Sequence, residues 1–317
     1  MNSLNTVTAR AAEIVLEEGL LGDPVPLWKQ TWKRLLRKRS AQVGMLFIGF
    51  MVLVAIFAPL IAPYDPNQVL LGVEDIKRRE APCIHMFGCD VAKPQHLMGI
   101  DGNARDVFSR IVYGSRISLM IGIVTVSAAL VMGVLLGAIA GYFGGWLDNI
   151  IMRIMDVILG FPSLLLAIAI VAVLGPGIVN ALLAISVVSV PGYARVTRAS
   201  VLSVKSQDFV AASRVLGASK WRILFTRVLP NSLTPIVVLA TMGVAGGILE
   251  AAGLSFLGLG AQPPMAEWGT MLGSEKDQIF SAPHLVFFPG IAIVITVLGF
   301  NLLGDGLRDA LDPRLNS

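Results

Sequence analysis

The chain has 317 residues, of which 55% are hydrophobic and only 15% charged, and its mean hydropathy is +0.74. An ordinary soluble domain carries about 25% charged residues, so this balance excludes a water-soluble globular enzyme. The net charge of +4 is read against topology before nucleic acid is considered, because basic residues collect on the cytoplasmic side of membrane proteins.

Uncharged runs at 40–64, 117–147, 157–194, 228–249 and 278–304 each reach the roughly 20 residues that span a bilayer as a helix. None alternates apolar and polar positions, which a transmembrane barrel requires. The first span is expected at 43–62, ending at Pro63 and Asp65. Its apolar stretch outlasts the 7 to 15 residues of a signal peptide, so it reads as an uncleaved anchor. The second runs from about Ile117 to Tyr142. The run 157–194 contains the turn signal Gly175-Pro176-Gly177 but is too short for two spans. The third span is therefore expected to begin near Ile150 and to carry Arg153 and Asp156 as a local ion pair three residues apart. The fourth covers about 178–197, the fifth 232–256 with Glu250 inside it, and the sixth 285–304. The fold class is thus an all-α polytopic membrane protein with six transmembrane helices. The organisation is a 1–42 N-terminal segment, the 43–62 span, a 63–116 outer segment, a 117–304 five-helix core with a 198–231 loop, and a 305–317 tail.

Six spans put both ends on one side. With that side inside, the inner segments hold 17 Lys and Arg residues and the outer ones eight, and the positive-inside bias places both termini in the cytoplasm. The outer 63–116 segment is balanced, whereas 195–227 has seven basic residues against Asp208 alone. Topology accounts for the surplus, so the expected partner is membrane lipid and not nucleic acid.

Cys83 and Cys89 fall in the outer segment with His85 between them. An oxidising compartment favours a disulfide, while a metal site there would have three ligands and lack the fourth of a structural zinc. Gly133, Gly137 and Gly141 form a doubled GxxxG stripe, and Gly243 and Gly247 another, where backbones can approach closely. Glu250 in an apolar span costs about 2.5–3.5 kcal/mol at the bilayer centre, which marks a functional site, a hydrogen bond to a neighbouring helix, or a position already in the outer headgroup region if Gly246 and Gly247 break the span. No phosphate loop, HExxH helix or GxGxxG turn occurs. The segment Lys205–Asn231, KSQDFVAASRVLGASKWRILFTRVLPN, has Phe209, Ala212, Leu216, Trp221, Leu224 and Val228 at helical spacing around Gly217. It reads as two short helices with a break, lying on the membrane surface or docking a partner.

That segment resembles the cytoplasmic loop of permease subunits of binding-protein-dependent ABC importers, whose pattern is EAA, three residues, Gly, nine residues and IxLP. The register falls on Ala211, Ala212, Ser213, Gly217, Leu229 and Pro230, with Ala211 in place of Glu, Ser213 in place of Ala and Arg227 in place of Ile. Three further stretches resemble the second permease type of the dipeptide, oligopeptide and nickel branch. These are MGIDGNARDVFSRIVYGSRISL at 98–119, where Ala104 replaces a usual Gly, RIMDVILGFPSLLLAI at 153–168, and LEAAGLSFLGLGAQPPMAEWGTML at 249–272.

The resemblance implies a type I, MetI-like permease fold that forms half of a translocation pathway for dipeptides or oligopeptides in a prokaryotic inner membrane. Implied partners are a second homologous permease chain, two ABC ATPase subunits docked on the 205–231 loop, and an extracytoplasmic substrate-binding protein. It implies no catalytic residue and no cofactor in this chain, ATP being hydrolysed by the partner subunits. Glu250, Gly246 and Gly247 are then expected along the pathway, and Trp268 and Gly269 in the outer vestibule. The alternative is a proton-coupled secondary transporter with Glu250 as carrier site.

Overall fold

The computed structural model describes residues 27–311; the expected extreme ends of the terminal segments lie outside them. An amphipathic helix α1 (Leu27–Leu35) leads into the first span α2 (Arg39–Ile56). That span stops six residues short of the expected end. Phe57 leaves helical geometry, and a separate turn α3 (Ala58–Ile61) follows with Pro59 in its first positions, where a missing N–H costs nothing.

The second span, α4 (Val107–Phe143), starts ten residues earlier than expected because Asp106 caps it, accepting from the Ser109 N–H at 2.7 Å. Its 37 residues extend about 55 Å, more than the hydrocarbon core, so its first turns stand within the outer segment. There, Leu70, Ile76, Ile100 and Ala104 form a small core of their own.

The third span is not straight. Helices α5 (Gly145–Leu159) and α6 (Ser163–Leu174) meet at 91° across Gly160-Phe161-Pro162, where the proline cannot continue the backbone ladder. The expected Arg153–Asp156 pair is also replaced. Asp156 binds Arg195 at 2.5 Å, and Asp148 is held by two bonds from Arg198 at 2.5 and 2.7 Å. Two residues eight apart on α5 thus meet two residues three apart on α7 (Ile178–Lys205). Among the described residues there are five long apolar helices, and six spans when the bent pair counts as one.

After α7 come α8 (Asp208–Val215), α9 (Lys220–Ile223), a π turn over Leu224–Val228 and α10 (Leu229–Asn231). The fifth and sixth spans are α11 (Leu233–Phe256) and α13 (His284–Leu311), separated by α12 (Trp268–Glu275). The glycine stripe on α4 lies against α7. A Cβ at Gly133 would come within 2.5 Å of the Tyr193 Cβ, and one at Gly137 would overlap the Ala194 carbonyl. Gly247 likewise faces Thr125, 2.9 Å from where its Cβ would stand. Small residues bring these helices together where lipid supplies little hydrophobic drive.

Candidate functional site

The 205–231 loop folds as two helical arms around Gly217. Gly217 has φ +78° and open space where a side chain would be, so it is glycine for its backbone conformation and not for lack of room. Ser219 caps the second arm, accepting from the Arg222 N–H at 3.4 Å. Pro230 has no N–H for the Thr226 carbonyl, and the helix widens to the π turn just before it. Leu229 begins α10 and packs against the cluster that anchors the loop.

That cluster differs from the apolar face expected from spacing. Val210, Ile223, Leu224 and Val228 point inward and pack on Tyr142 and Val201 at the ends of α4 and α7. Lys205 donates to the Tyr142 carbonyl, placing a cation at the C-terminus of α4, where the helix dipole favours it. Phe209 and Trp221 are partly exposed and Leu216 is 86% exposed, alongside Val215 at 87%. Trp221 lies against Phe143 and stacks on Phe225, with centroids at 4.8 and 5.9 Å. A cleft of about 300 Å³ opens between the arms, lined by Ser213, Leu216, Arg222 and Arg227. Ala211 and Ala212 are exposed on α8. The loop therefore presents an apolar ridge and basic cleft walls on a base fixed to two spans. Periodicity alone missed the division, since an inward and an outward apolar set interleave on such short helices.

Glu250 is half-buried on α11 beside Ser163, the first residue of α6. It sits where the dipole of α6 favours negative charge. The sequence marked the charge but had no signal for its partner. Gly246 is exposed with nothing near it, and Leu249 is 57% exposed on the same side. Gly247 faces the opposite way into α4, so the two glycines expected along one pathway part company.

Trp268 and Gly269 do not line a vestibule within this chain. Trp268 is fully buried and donates from Nε1 to the Ile111 carbonyl at 3.1 Å. A Cβ at Gly269 would strike the backbone of Ala252. Their role here is to lock α12 onto α4 and α11, helped by Glu267, which accepts from the N–H groups of Gly269 and Thr270 at 2.9 and 2.8 Å. In the outer segment Cys83 and Cys89 are joined in a disulfide with Cα atoms 5.4 Å apart. The His85 Nε2 lies 2.8 Å from the Lys93 carbonyl oxygen. No group of three potential metal ligands occurs among the described residues.

Residues 133–317 match the family of binding-protein-dependent transport system inner membrane components, and residues 26–82 match the N-terminal TM domain of oligopeptide transport permease C. The dipeptide transport system permease protein DppC of Alkalihalophilus pseudofirmus is 47% identical over 295 residues, 92% of this chain and 91% of that protein. The glutathione transport system permease protein GsiD of Pectobacterium atrosepticum is 45% identical, covering 92% of each. The di/tripeptide transport system permease protein DppC of Pseudomonas aeruginosa is 43% identical over 100% of this chain and 99% of its own. Among solved structures, an inward-facing form of the MetNI methionine ABC transporter aligns with TM-score 0.53 at 19% identity, over 65% of this chain and 97% of that one. That likeness concerns the fold.

Proposed function

Because this chain belongs to the family of binding-protein-dependent transport system inner membrane components, we propose that it forms half of the membrane pathway of an ATP-driven importer of dipeptides or short oligopeptides. The full-length similarity to di- and tripeptide permeases supports the cargo class. Nothing in the comparisons supports a proton-coupled carrier, and the place of Glu250 beside Ser163 at the start of α6 favours a structural task for that residue. The other half of the pathway is a second homologous permease. Two ATPase subunits dock beneath, an extracytoplasmic binding protein delivers the cargo, and the loop side with both termini faces the cytoplasm of a prokaryotic cell.

The observation that carries the coupling role is the loop itself, an outward apolar ridge and cleft on a base anchored to α4 and α7. Such a unit passes a displacement of its partner to both spans as a rigid body. The test uses two variants at Gly217. The φ of +78° costs a β-branched side chain on the order of 1–2 kcal/mol or more, whereas Asn enters this region readily. Gly217→Val should insert normally yet abolish peptide uptake and peptide-stimulated ATP hydrolysis in the reconstituted complex, and Gly217→Asn should retain most of both. Unchanged uptake and ATPase in Gly217→Val would reject the coupling role.

A further inference from the structure

On the loop side of the molecule, two adjoining apolar clefts run between α1, α2, α11 and α13. The larger, about 650 Å³, is walled by Trp32, Leu35, Met45, Leu233, Val237 and Leu303. The smaller, about 380 Å³, shares Thr234 and Leu311 with it and reaches Arg308. Their walls are almost wholly apolar apart from Arg308, and α1, which supplies Trp32 and Leu35 to the larger cleft, is rich in cations. Residues 29–39 hold six Lys and Arg and no acid, and Arg34, Arg37 and Arg308 are exposed. Of the acids on α13, among the described residues, Asp309 already faces Lys38 at 3.6 Å and Asp305 is the other. Helix α1 is amphipathic and ends in Lys33 and Arg34, the composition of a helix lying at the boundary between acyl chains and headgroups.

We infer that these clefts form a binding site for one anionic glycerophospholipid, whose acyl chain lies along Leu35, Val237 and Leu303 and whose phosphate meets Arg34 and Arg308. Charge complementarity selects the occupant. A zwitterionic lipid or an apolar partner segment would leave the surplus cations unanswered, whereas basic pockets between spans on the cytoplasmic side suit acidic headgroups. The site ties the N-terminal helix to the fifth and sixth spans, so its occupant braces the end of α11 that leads directly out of the coupling loop. The inference rests on the reading above that this side is cytoplasmic, but lipid binding is measured without transport and fails or stands separately from it.

The experiment is native mass spectrometry of the purified, delipidated complex titrated with palmitoyl-oleoyl phosphatidylglycerol or with phosphatidylcholine of the same chains. One phosphatidylglycerol per copy of this chain should bind saturably and in preference to phosphatidylcholine. Arg34→Gln with Arg308→Gln should weaken it by about five-fold per cation removed while the complex stays assembled. Val237→Trp, which fills the larger cleft and keeps every charge, should weaken both lipids. Equal binding of the two lipids, or phosphatidylglycerol binding unaltered in both variants, would overturn the site. So would a full-length chain that binds none while a chain lacking residues 1–25 does, since the N-terminal segment would then be the occupant.

Discussion

Ala104 holds the left-handed conformation at φ 59° with its side chain fully buried. Its N–H donates to the Asp101 carbonyl at 3.0 Å and its carbonyl accepts from Leu70 at 2.8 Å. The Asp101 carboxylate takes the N–H groups of Asn103 and Arg105, both at 2.9 Å, so the turn is fixed from both sides and the residue has no relaxed alternative. That conformation costs an alanine roughly 1–2 kcal/mol, while removing its buried methyl forfeits about 0.8 kcal/mol. Ala104→Gly should therefore stabilise the protein by up to about 1 kcal/mol, seen as a rise of about 1–3 °C in the melting temperature of the detergent-solubilised chain. A fall would show that the methyl outweighs the strain. The sequence marked this position only through the glycine that the resembled branch carries there. The backbone angle comes from contacts with Leu70 and Asp101 that no local pattern displays.

The outer segment is tied to the second span by a buried polar chain. His96 is 3% exposed, with Nδ1 2.9 Å from Asp106, the cap of α4, and Nε2 3.1 Å from Glu74. Glu74 in turn accepts from the Tyr64 hydroxyl at 3.0 Å, and burial together with that carboxylate pushes the phenol up to about 12. Burial alone would pull the imidazole down, but hydrogen bonds and charge from Asp106 and Glu74 outweigh it, so His96 holds its proton above the ordinary histidine range. A raised folded value contributes stability in full below about pH 6.5, and that stability is lost as pH rises through the folded value. Protection factors against hydrogen exchange at Ile100 and Ser109, corrected for the base-catalysed intrinsic rate, should therefore be larger at pH 6 than at pH 8.5, and His96→Gln should remove most of the difference. Equal protection at both pH values in the unaltered chain would place the charge elsewhere. The bend between α5 and α6 belongs to the same scale. Gly160 and Pro162 were visible, but span-length arithmetic favoured a straight helix, because it counts apolar residues and cannot register a 91° turn supported by ion pairs to α7.

For the molecule as a whole, the loop, the ends of α4 and α7, the N-terminal helix and the end of α13 gather at one end, and the disulfide-closed outer segment lies at the other. A membrane-impermeant thiol reagent applied to intact cells should label a cysteine at the exposed position Ser274 but not one at Ser206, on the loop side. Labelling at 206 would reverse the orientation and remove the loop from the ATPase side. Hydropathy and charge by themselves determined that this chain spans a membrane repeatedly, roughly where, and with which side basic. The loop and outer motifs determined the family, because transfer free energy and positive-inside bias act residue by residue and need no fold. The tertiary structure decided the partners. Glu250 sits beside Ser163 at a helix break, Asp148 and Asp156 answer arginines on α7, and Trp268 and Gly269 pack between α12, α4 and α11 of this chain. Each of those outcomes depends on which helices approach closely enough to touch, and that is set by the small residues between them and by the bend, which appear only when the whole chain is packed.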